Sequence, residues 1–211
     1  MRELLSCYKA KKLTIKKRLA DFQSTWKKAD KKIFAELCFC LCTPQSKAVM
    51  CDKAISSLEE TGVLFNGSFA QISPALKING VRFHNNKTRY IIEARNLFAK
   101  KNRLCIKNKI NTLNIDETRG WLVKNVKGLG YKEASHFLRN IGQGKNLAIL
   151  DIHILRNMLK LKIIKKIPKI ISKKEYLSME KNLERFSKKA GIPMDELDLL
   201  FWSMETGTVF K

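Results

Sequence analysis

The sequence predicts an all-α fold, and three observations favour it. Apolar residues recur at helical spacing along most of the chain, whereas the alternation typical of a half-buried strand is weak throughout. Helix-start signals such as Thr43-Pro44 and Ser172-Lys173-Lys174-Glu175 are followed by helix-stop glycines such as Gly191 and Gly207. The sequence contains no internal repeat or low-complexity segment, so a repeat array is not expected.

The first part of the chain contains the expected central helix. Residues 1–29 are predicted to form one or two basic amphipathic helices. The run Ile33–Cys42 is almost wholly apolar, which is typical of a helix that is buried on all sides. Thr43 then has the character of an N-cap and Pro44 that of the first helical residue, which predicts a helix over Gln45–Leu58.

The remaining helices are predicted from similar signals. Ser73-Pro74 precedes a short helix that stops at Gly80. The other predicted helices span Lys87–Lys101, about Asp116 to Asn125, from Asp151 to about Leu161, from Ser172 to Gly191, and from near Met194 to Glu205. A lysine-rich link with Pro168 precedes the helix that starts at Ser172.

The charge of the chain points to a polyanionic partner. The sequence has 42 Lys+Arg against 19 Asp+Glu, a formal net charge of +23 and a pI of about 9.9. A lysine-rich proteome with a solvated surface explains part of this excess. A membrane surface is disfavoured, because the sequence offers neither an amphipathic anchor nor a spanning segment. Nucleic acid is therefore the expected partner, and the N-terminus lacks the apolar run of a secretory signal.

Six cysteines raise the question of disulfides or a metal. Cys38, Cys40 and Cys42 alternate within the apolar run, so on a helix successive thiols lie about 200° apart and do not converge on an ion. The C-x2-C and C-x2-C…H patterns of zinc sites are absent from the sequence. We therefore expect buried, reduced thiols in an intracellular protein, with no metal site and no cofactor.

The stretch that begins at Val126 carries the strongest functional signal. Gly128 and Gly130 flank a single apolar residue, so the backbone can turn tightly with φ > 0 and expose its N–H groups. Helical periodicity resumes at once, and a turn whose amides open onto a helix N-terminus suits a phosphate. Lys132 is in the first turn of that helix, beside the expected anion.

This stretch resembles a known superfamily. The segment Gly128-Leu129-Gly130-Tyr131-Lys132, followed nineteen residues later by Asp151-Ile152-His153, is similar to the helix-hairpin-helix DNA glycosylases in their lysine-bearing, bifunctional branch. Within that superfamily, Lys132–Asn140, Leu197–Trp202 and a final lysine resemble the short archaeal-type, or type 2, 8-oxoguanine DNA glycosylases. The resemblance runs through much of residues 30–211.

The resemblance implies catalytic roles for two residues. Lys132 would attack C1′ of deoxyribose and form a Schiff base, and elimination of the 3′ phosphate would then nick the strand. Asp151 would stabilise positive charge on the sugar or accept the proton of the amine. The alternatives are a surface lysine for Lys132 and an N-cap of the helix that begins at Ile152 for Asp151.

The resemblance also implies residues that contact DNA. Gln45 resembles the glutamine that some superfamily members insert into the duplex, although type 2 members more often carry Thr-Ala-Asn here. Arg82 and Phe83 are where relatives place a wedge for the gap left by a flipped base, with core packing as the alternative for Phe83. Gly128 and Gly130 would contact phosphate, with an ordinary interhelical turn as the alternative.

The end of the chain is expected to contribute to the base pocket. Type 2 enzymes bring their final lysine, here Lys211, into the pocket, where terminal groups hydrogen-bond the oxidised guanine. Trp202 would supply a stacking face, and His153 is a further candidate for DNA contact. The alternative for Lys211 is a frayed tail. The alternative for Trp202 is a core residue on an amphipathic helix, and that for His153 is an ordinary helix histidine.

The combined expectation is a bifunctional DNA glycosylase and abasic-site lyase that removes 8-oxoguanine from double-stranded DNA. Two helical lobes are expected, one over residues 30–142 that ends with the hairpin and one formed by 1–29 with 143–211. The superfamily places its active site in the cleft between such lobes. The protein is expected to be a cytoplasmic, nucleoid-associated monomer. Two alternatives stay open: the same lyase chemistry on an oxidised pyrimidine, and a helix-hairpin-helix DNA-binding module without catalysis.

Overall fold

The computed structural model describes residues 1–101 and 103–211, and it confirms the all-α class. The helices are α1 (Arg2–Trp26), α2 (Asp30–Cys42), α3 (Ala48–Glu60), α4 (Val63–Asn66), α5 (Phe69–Ile78), α6 (His84–Phe98), α7 (Ile115–Asn125), α8 (Tyr131–Asn140), α9 (Ile152–Lys160), α10 (Lys173–Ala190) and α11 (Met194–Thr206). A 3-10 helix covers Ile106–Lys109, and the short strands β1 (Ala99–Lys100) and β2 (Arg103–Leu104) pair antiparallel. In the described part of the chain, no helix is both long and apolar enough to cross a membrane.

The chain divides into two compact units. The hairpin unit is Thr25–Phe137, and the terminal unit joins Met1–Ser24 to Leu138–Lys211. Helix α8 begins in the hairpin unit and ends in the terminal unit. The lobe boundaries expected from the sequence stay a prediction.

Helix α2 forms the core of the hairpin unit. All ten residues of Ile33–Cys42 are buried, as predicted for a helix that is apolar on every face. Helices α3 and α6 pack against α2, and α5 packs against α3 and α6. Burial of this one helix therefore fixes the positions of the helices that carry the candidate DNA-contacting loops.

The predicted start of α3 is wrong. The helix begins at Ala48, whereas Thr43-Pro44 suggested that it begins at Gln45. The Thr43 hydroxyl donates back to the carbonyl oxygen of Cys40 at 2.9 Å, and the Ser46 N–H donates to the carbonyl oxygen of Thr43 at 3.0 Å. Thr43 therefore ends α2, and the residues after it form a turn.

The starts of α5 and α6 also differ from prediction. Helix α5 begins earlier than predicted, at Phe69, because Ser68 and Gln71 form a capping box, and Pro74 is inside the helix. Helix α6 begins at His84 and ends at Phe98, because β1 follows it directly. Helix α6 is therefore shifted by about one turn relative to the prediction. The start of α5 was misplaced by more than a turn, whereas its predicted stop at Gly80 is confirmed.

The terminal unit is closer to expectation. Ser172 and Glu175 form the predicted capping box of α10, and Gly191 ends that helix with φ 67°. Gly207 follows α11 with φ 83°. Helices α9 and α10 pack against α11, and the Tyr8 hydroxyl of α1 donates to Glu196 at 2.6 Å. The core of this unit includes Met158, Leu183, Leu197 and Phe201, which are fully buried.

Candidate functional site

The glycine turn joins α7 to α8 in the hairpin unit. Gly128 has φ 83°, and a Cβ built on it would overlap the ring of Tyr90. Both the backbone angle and the close approach of the ring therefore require glycine. The prediction of φ > 0 is confirmed at Gly128 and wrong at Gly130, which is not among the positive-φ glycines.

The different roles of the two glycines predict different costs of substitution. Gly128→Ala is expected to lower the free energy of unfolding by about 2–4 kcal/mol, because the residue would be strained and would push against Tyr90. Gly130→Ala is the matched control and is expected to stay within about 1 kcal/mol, because its Cβ meets only the movable carboxylate of Glu133. Urea unfolding measures both, and equal losses would contradict the assignment.

Lys132 lies in the first turn of α8, as predicted. Its side chain is 23% exposed, and its Nζ is 3.6 Å from Oε1 of Glu133. The other carboxylate oxygen of Glu133 accepts a hydrogen bond from the Gly130 N–H at 3.2 Å. The Glu133 carboxylate therefore contacts both the Lys132 amine and the Gly130 amide. It occupies the position at the Gly130 amide where the sequence predicted a phosphate.

A buried arginine on α7 packs against the start of α8. Arg119 of α7 is 2% exposed and donates to the Ser135 hydroxyl of α8 at 3.2 Å and to Asp116 at 2.8 Å. Its guanidinium carbon is 5.4 Å from the centre of the Tyr131 ring. These contacts fix the start of α8 against α7. Arg119 was not predicted from the sequence, because one arginine among 42 basic residues carries no local sign of burial.

Three of the candidate DNA-contacting residues, Gln45, Arg82 and Phe83, share one region of the hairpin unit. Gln45 is exposed with φ 55°, and Phe83 is 52% exposed with φ 56°. Core packing, the alternative for Phe83, is therefore ruled out. The Arg82 guanidinium is 5.6 Å from the Phe83 ring centre, and the Arg82 N–H donates to the Ser46 hydroxyl at 3.0 Å. That hydrogen bond places the two turns side by side.

Asp151 caps helix α9 in the terminal unit. Its Oδ1 accepts a hydrogen bond from the Ile154 N–H at 2.8 Å, so the N-cap role considered from the sequence is present. His153 follows in the first turn, and its ring centre is 6.4 Å from that of Trp202 in an edge-on arrangement. The Nδ1 atom of His153 is buried and has no hydrogen-bond partner among the described residues.

The C-terminal tail returns to the same place. The ring of Phe210 is 6.2 Å from that of Trp202, with the two planes 32° apart, and Lys211 is half-buried. The frayed tail considered from the sequence is therefore not observed. Asp151, His153, Trp202 and Lys211 are thus carried by neighbouring parts of the terminal unit, since α9 packs on α11. Phe210 was not predicted as a site residue, because its only signal in the sequence is an aromatic residue in the tail.

The cysteines do not form an obvious metal site. Among residues 1–101 and 103–211, no group of three or more His, Cys, Asp or Glu could hold a metal ion. Cys38, Cys40, Cys42 and Cys51 are free and buried. Burial raises the pKa of Cys51 to about 11, and it raises the pKa of Cys38 and of Cys42 well above its usual range.

Comparisons with known proteins identify one family. The family model described as 8-oxoguanine DNA glycosylase matches residues 15–192. The 8-oxoguanine DNA glycosylase/AP lyase of Fusobacterium nucleatum is 44% identical over 211 residues, which cover 99% of this chain and 96% of that protein. The 8-oxoguanine DNA glycosylase/AP lyase of Methanocaldococcus jannaschii is 37% identical and covers 93% of this chain and 91% of its own length.

Solved structures give the same result. The crystal structure of the Methanocaldococcus jannaschii 8-oxoguanine DNA glycosylase superposes with a TM-score of 0.88 at 34% identity, covering 100% of this chain and 97% of that one. The same archaeon's 8-oxoguanine glycosylase/lyase in complex with a 15mer DNA containing 8-oxoguanine gives a TM-score of 0.89 at 33% identity, with both chains fully covered at 100%.

Proposed function

Because the chain belongs to the 8-oxoguanine DNA glycosylase family, we propose that it excises 8-oxoguanine from double-stranded DNA and nicks the strand 3′ to the abasic site. The observation that carries the proposal is Lys132, a half-buried amine in the first turn of α8, directly after a turn that requires glycine. The proposal includes duplexes with a preformed abasic site as a second substrate. We also propose that the protein acts as a monomer and that it is associated with the nucleoid.

Lys132 supplies the nucleophile. Its neutral amine attacks C1′, the N-glycosidic bond breaks, and the oxidised base leaves with the bonding electron pair and takes up a proton. The new bond between Nζ and C1′ becomes a Schiff base as the sugar ring opens. Removal of a proton from C2′ then expels the 3′ phosphate by β-elimination. Water finally hydrolyses the imine and returns the free amine.

Asp151 supplies negative charge at the sugar. Positive charge builds on deoxyribose as the N-glycosidic bond breaks, and a carboxylate stabilises it. The same carboxylate can accept the proton released during the attack. Its bond to Ile154 uses Oδ1, so the N-cap does not require Oδ2. Asp151 can therefore cap α9 through Oδ1 while Oδ2 stabilises the sugar or accepts a proton.

The DNA backbone and the gap in the duplex are recognised by the hairpin unit. The amides of the Gly128–Gly130 turn bind a backbone phosphate, which takes the place of the Glu133 carboxylate at the Gly130 N–H. Phe83 fills the space left by the flipped base, Arg82 contacts phosphate or the orphaned base, and Gln45 inserts beside them. The exposure of Phe83 and Gln45 supports these roles.

The flipped base is bound by the terminal unit. Trp202 stacks on its face, and Phe210 keeps the Trp202 ring in place. His153 lies edge-on to Trp202 and contacts the DNA beside that ring. Lys211 contacts the base directly, which is consistent with its half-buried position beside Phe210.

Substitution of Lys211 tests this pocket. Lys211→Ala is expected to slow excision of 8-oxoguanine by about tenfold, since one hydrogen-bond donor to the base is lost. Nicking at a preformed abasic site should change less than about threefold, because no base is present there. Single-turnover assays on the two duplexes measure both rates. Lys169→Ala, which removes an exposed lysine from the same unit, serves as control, and equal losses in both assays would refute the role.

The proposed activity is tested by borohydride trapping on three duplexes. The protein is expected to form a covalent adduct with a duplex that contains 8-oxoguanine and none with undamaged DNA, because only a Schiff base is reduced to a stable bond. An adduct with a thymine glycol duplex alone would identify an oxidised-pyrimidine enzyme instead. Absence of an adduct on every duplex, with binding retained, would identify a DNA-binding module without catalysis.

A further inference from the structure

Lys87 is a buried lysine whose ammonium holds a loop. The residue lies near the start of α6 and is 4% exposed. Its Nζ donates to the carbonyl oxygen of Cys42 at 2.6 Å, to that of Pro44 at 2.8 Å and to the Ser46 hydroxyl at 2.9 Å. An ammonium has three protons, so these three bonds use all of them. Bonds from a charged donor are also stronger than neutral ones.

Two of the three acceptors flank Gln45, and the third is the carbonyl oxygen at the end of α2. The carbonyl group of Pro44 belongs to the peptide that leads into Gln45, and Ser46 follows it directly. Gln45 has φ 55°, a left-handed conformation that costs a residue other than glycine about 1 kcal/mol or more. Such a conformation persists only where its surroundings fix it. The bonds from Lys87 on either side of Gln45 supply that fixation.

The same hydroxyl connects the second turn. Ser46 Oγ also accepts a hydrogen bond from the Arg82 N–H at 3.0 Å. The backbone N–H of Lys87 donates to the carbonyl oxygen of Phe83 at 3.1 Å, and Phe83 is likewise left-handed, with φ 56°. Lys87 is therefore bonded, directly or through Ser46, to both of the turns that carry the candidate DNA-contacting side chains.

Packing alone does not account for a lysine here. Desolvation lowers the pKa of Lys87 below its usual value, which shows that burial works against its charge. An apolar side chain of similar length would fill the same space without that cost, and replacing buried charges by apolar residues is often neutral or stabilising. What an apolar side chain cannot do is bond three oxygens of an exposed, strained loop.

We propose that Lys87 is a positioning residue for damage recognition, which holds the Gln45 loop and the Arg82–Phe83 turn in one fixed arrangement for entry into the duplex. The inference rests on the proposed function. Lys87 touches neither the reacting sugar nor the flipped base; it acts through the backbone of the residues that replace that base. Loss of its ammonium should therefore impair base extrusion and leave the lysine chemistry intact.

The test compares Lys87→Met with Lys32→Met. Lys32 is a matched control in the same unit, because its Nζ bonds Glu59 at 2.7 Å and touches neither turn. Lys87→Met is expected to slow excision of 8-oxoguanine from a duplex by on the order of tenfold to a hundredfold, since misplaced contacting groups cost rates of that size. Nicking of a preformed abasic site should change less than about threefold, and Lys32→Met should change neither rate.

A binding signal separates this inference from the proposed chemistry. In a Lys132→Gln background, binding should unstack and brighten a 2-aminopurine placed beside the 8-oxoguanine, and Lys87→Met should reduce that brightening while Lys32→Met should not. This signal needs no turnover, so it decides the role of Lys87 even where the trapping experiment finds no adduct. Undiminished brightening, or equal losses of excision and of abasic-site nicking, would overturn the inference.

A second variant guards against misfolding. Ser46→Ala removes only the hydroxyl that joins the two turns and keeps the Lys87 bonds to the Cys42 and Pro44 carbonyl groups. It is expected to fold, as checked by its thermal melting curve, and to show the same selective loss of duplex excision at about threefold to tenfold. Wild-type excision by a folded Ser46→Ala protein would also overturn the inference.

Discussion

Lys132→Gln is expected to abolish the borohydride adduct and to lower both base excision and strand nicking by at least about a thousandfold. Glutamine approaches lysine in length and suits a helix equally well, so α8 and its hairpin should stay folded. What it lacks is an amine that can form a bond to C1′. Single-turnover assays and trapping on an 8-oxoguanine duplex measure the three effects together.

A neighbouring lysine provides the matched control. Lys127 is in the glycine turn that precedes α8, with its side chain 66% exposed and its Nζ 3.6 Å from Glu93. Lys127→Gln removes the same charge and is expected to weaken binding modestly, with the adduct still formed, because a phosphate contact contributes affinity and not chemistry. Adduct formation by Lys132→Gln, or its loss in Lys127→Gln, would place the nucleophile elsewhere.

Asp151→Asn is expected to slow base excision by about a hundredfold without a loss of stability. The asparagine amide oxygen can accept the Ile154 N–H that Asp151 Oδ1 now accepts, and asparagine is as good an N-cap as aspartate. Only the negative charge is removed, so the fall in rate reports electrostatic and proton-handling effects alone. Excision under single-turnover conditions and a thermal melt give the two quantities.

Asp151→Ala then isolates the cap. It is expected to match the asparagine variant in lost activity and, in addition, to lose about 1 kcal/mol of stability, because the first turn of α9 loses its acceptor. A wild-type excision rate in Asp151→Asn would show that the residue is a cap and nothing more. That result would leave Lys132 as the only residue with a proposed catalytic role.

The sequence was most informative where the signals were local. Three such signals each involve residues no more than a few positions apart: the capping box of Ser172 and Glu175, the stop at Gly191 and the cap at Asp151. Helices α9 and α10, whose ends these signals mark, lie where they were predicted. The glycine turn before α8 is local in the same sense. Its resemblance to a superfamily then supplied roles that spacing alone did not.

Apart from the start of α5, whose capping box is local, the failures came from contacts that the local pattern does not show. Thr43-Pro44 has the local pattern of a helix start, yet Lys87, more than forty positions away, binds the carbonyl oxygens of Cys42 and Pro44 and stabilises a turn. No local pattern marks a lysine as buried among so many exposed ones. Arg119 and Phe210 were missed for the same reason, since their partners become neighbours only after folding.

The protonated thiols of α2 and α3 have a consequence for the conditions in which the protein works. Peroxides react with thiolates far more readily than with thiols, and at neutral pH Cys38, Cys42 and Cys51 stay protonated because burial raises the pKa of each. Guanine is oxidised when such oxidants are abundant. An enzyme that repairs the product therefore keeps these sulfur atoms out of reach of the agents that create its substrate.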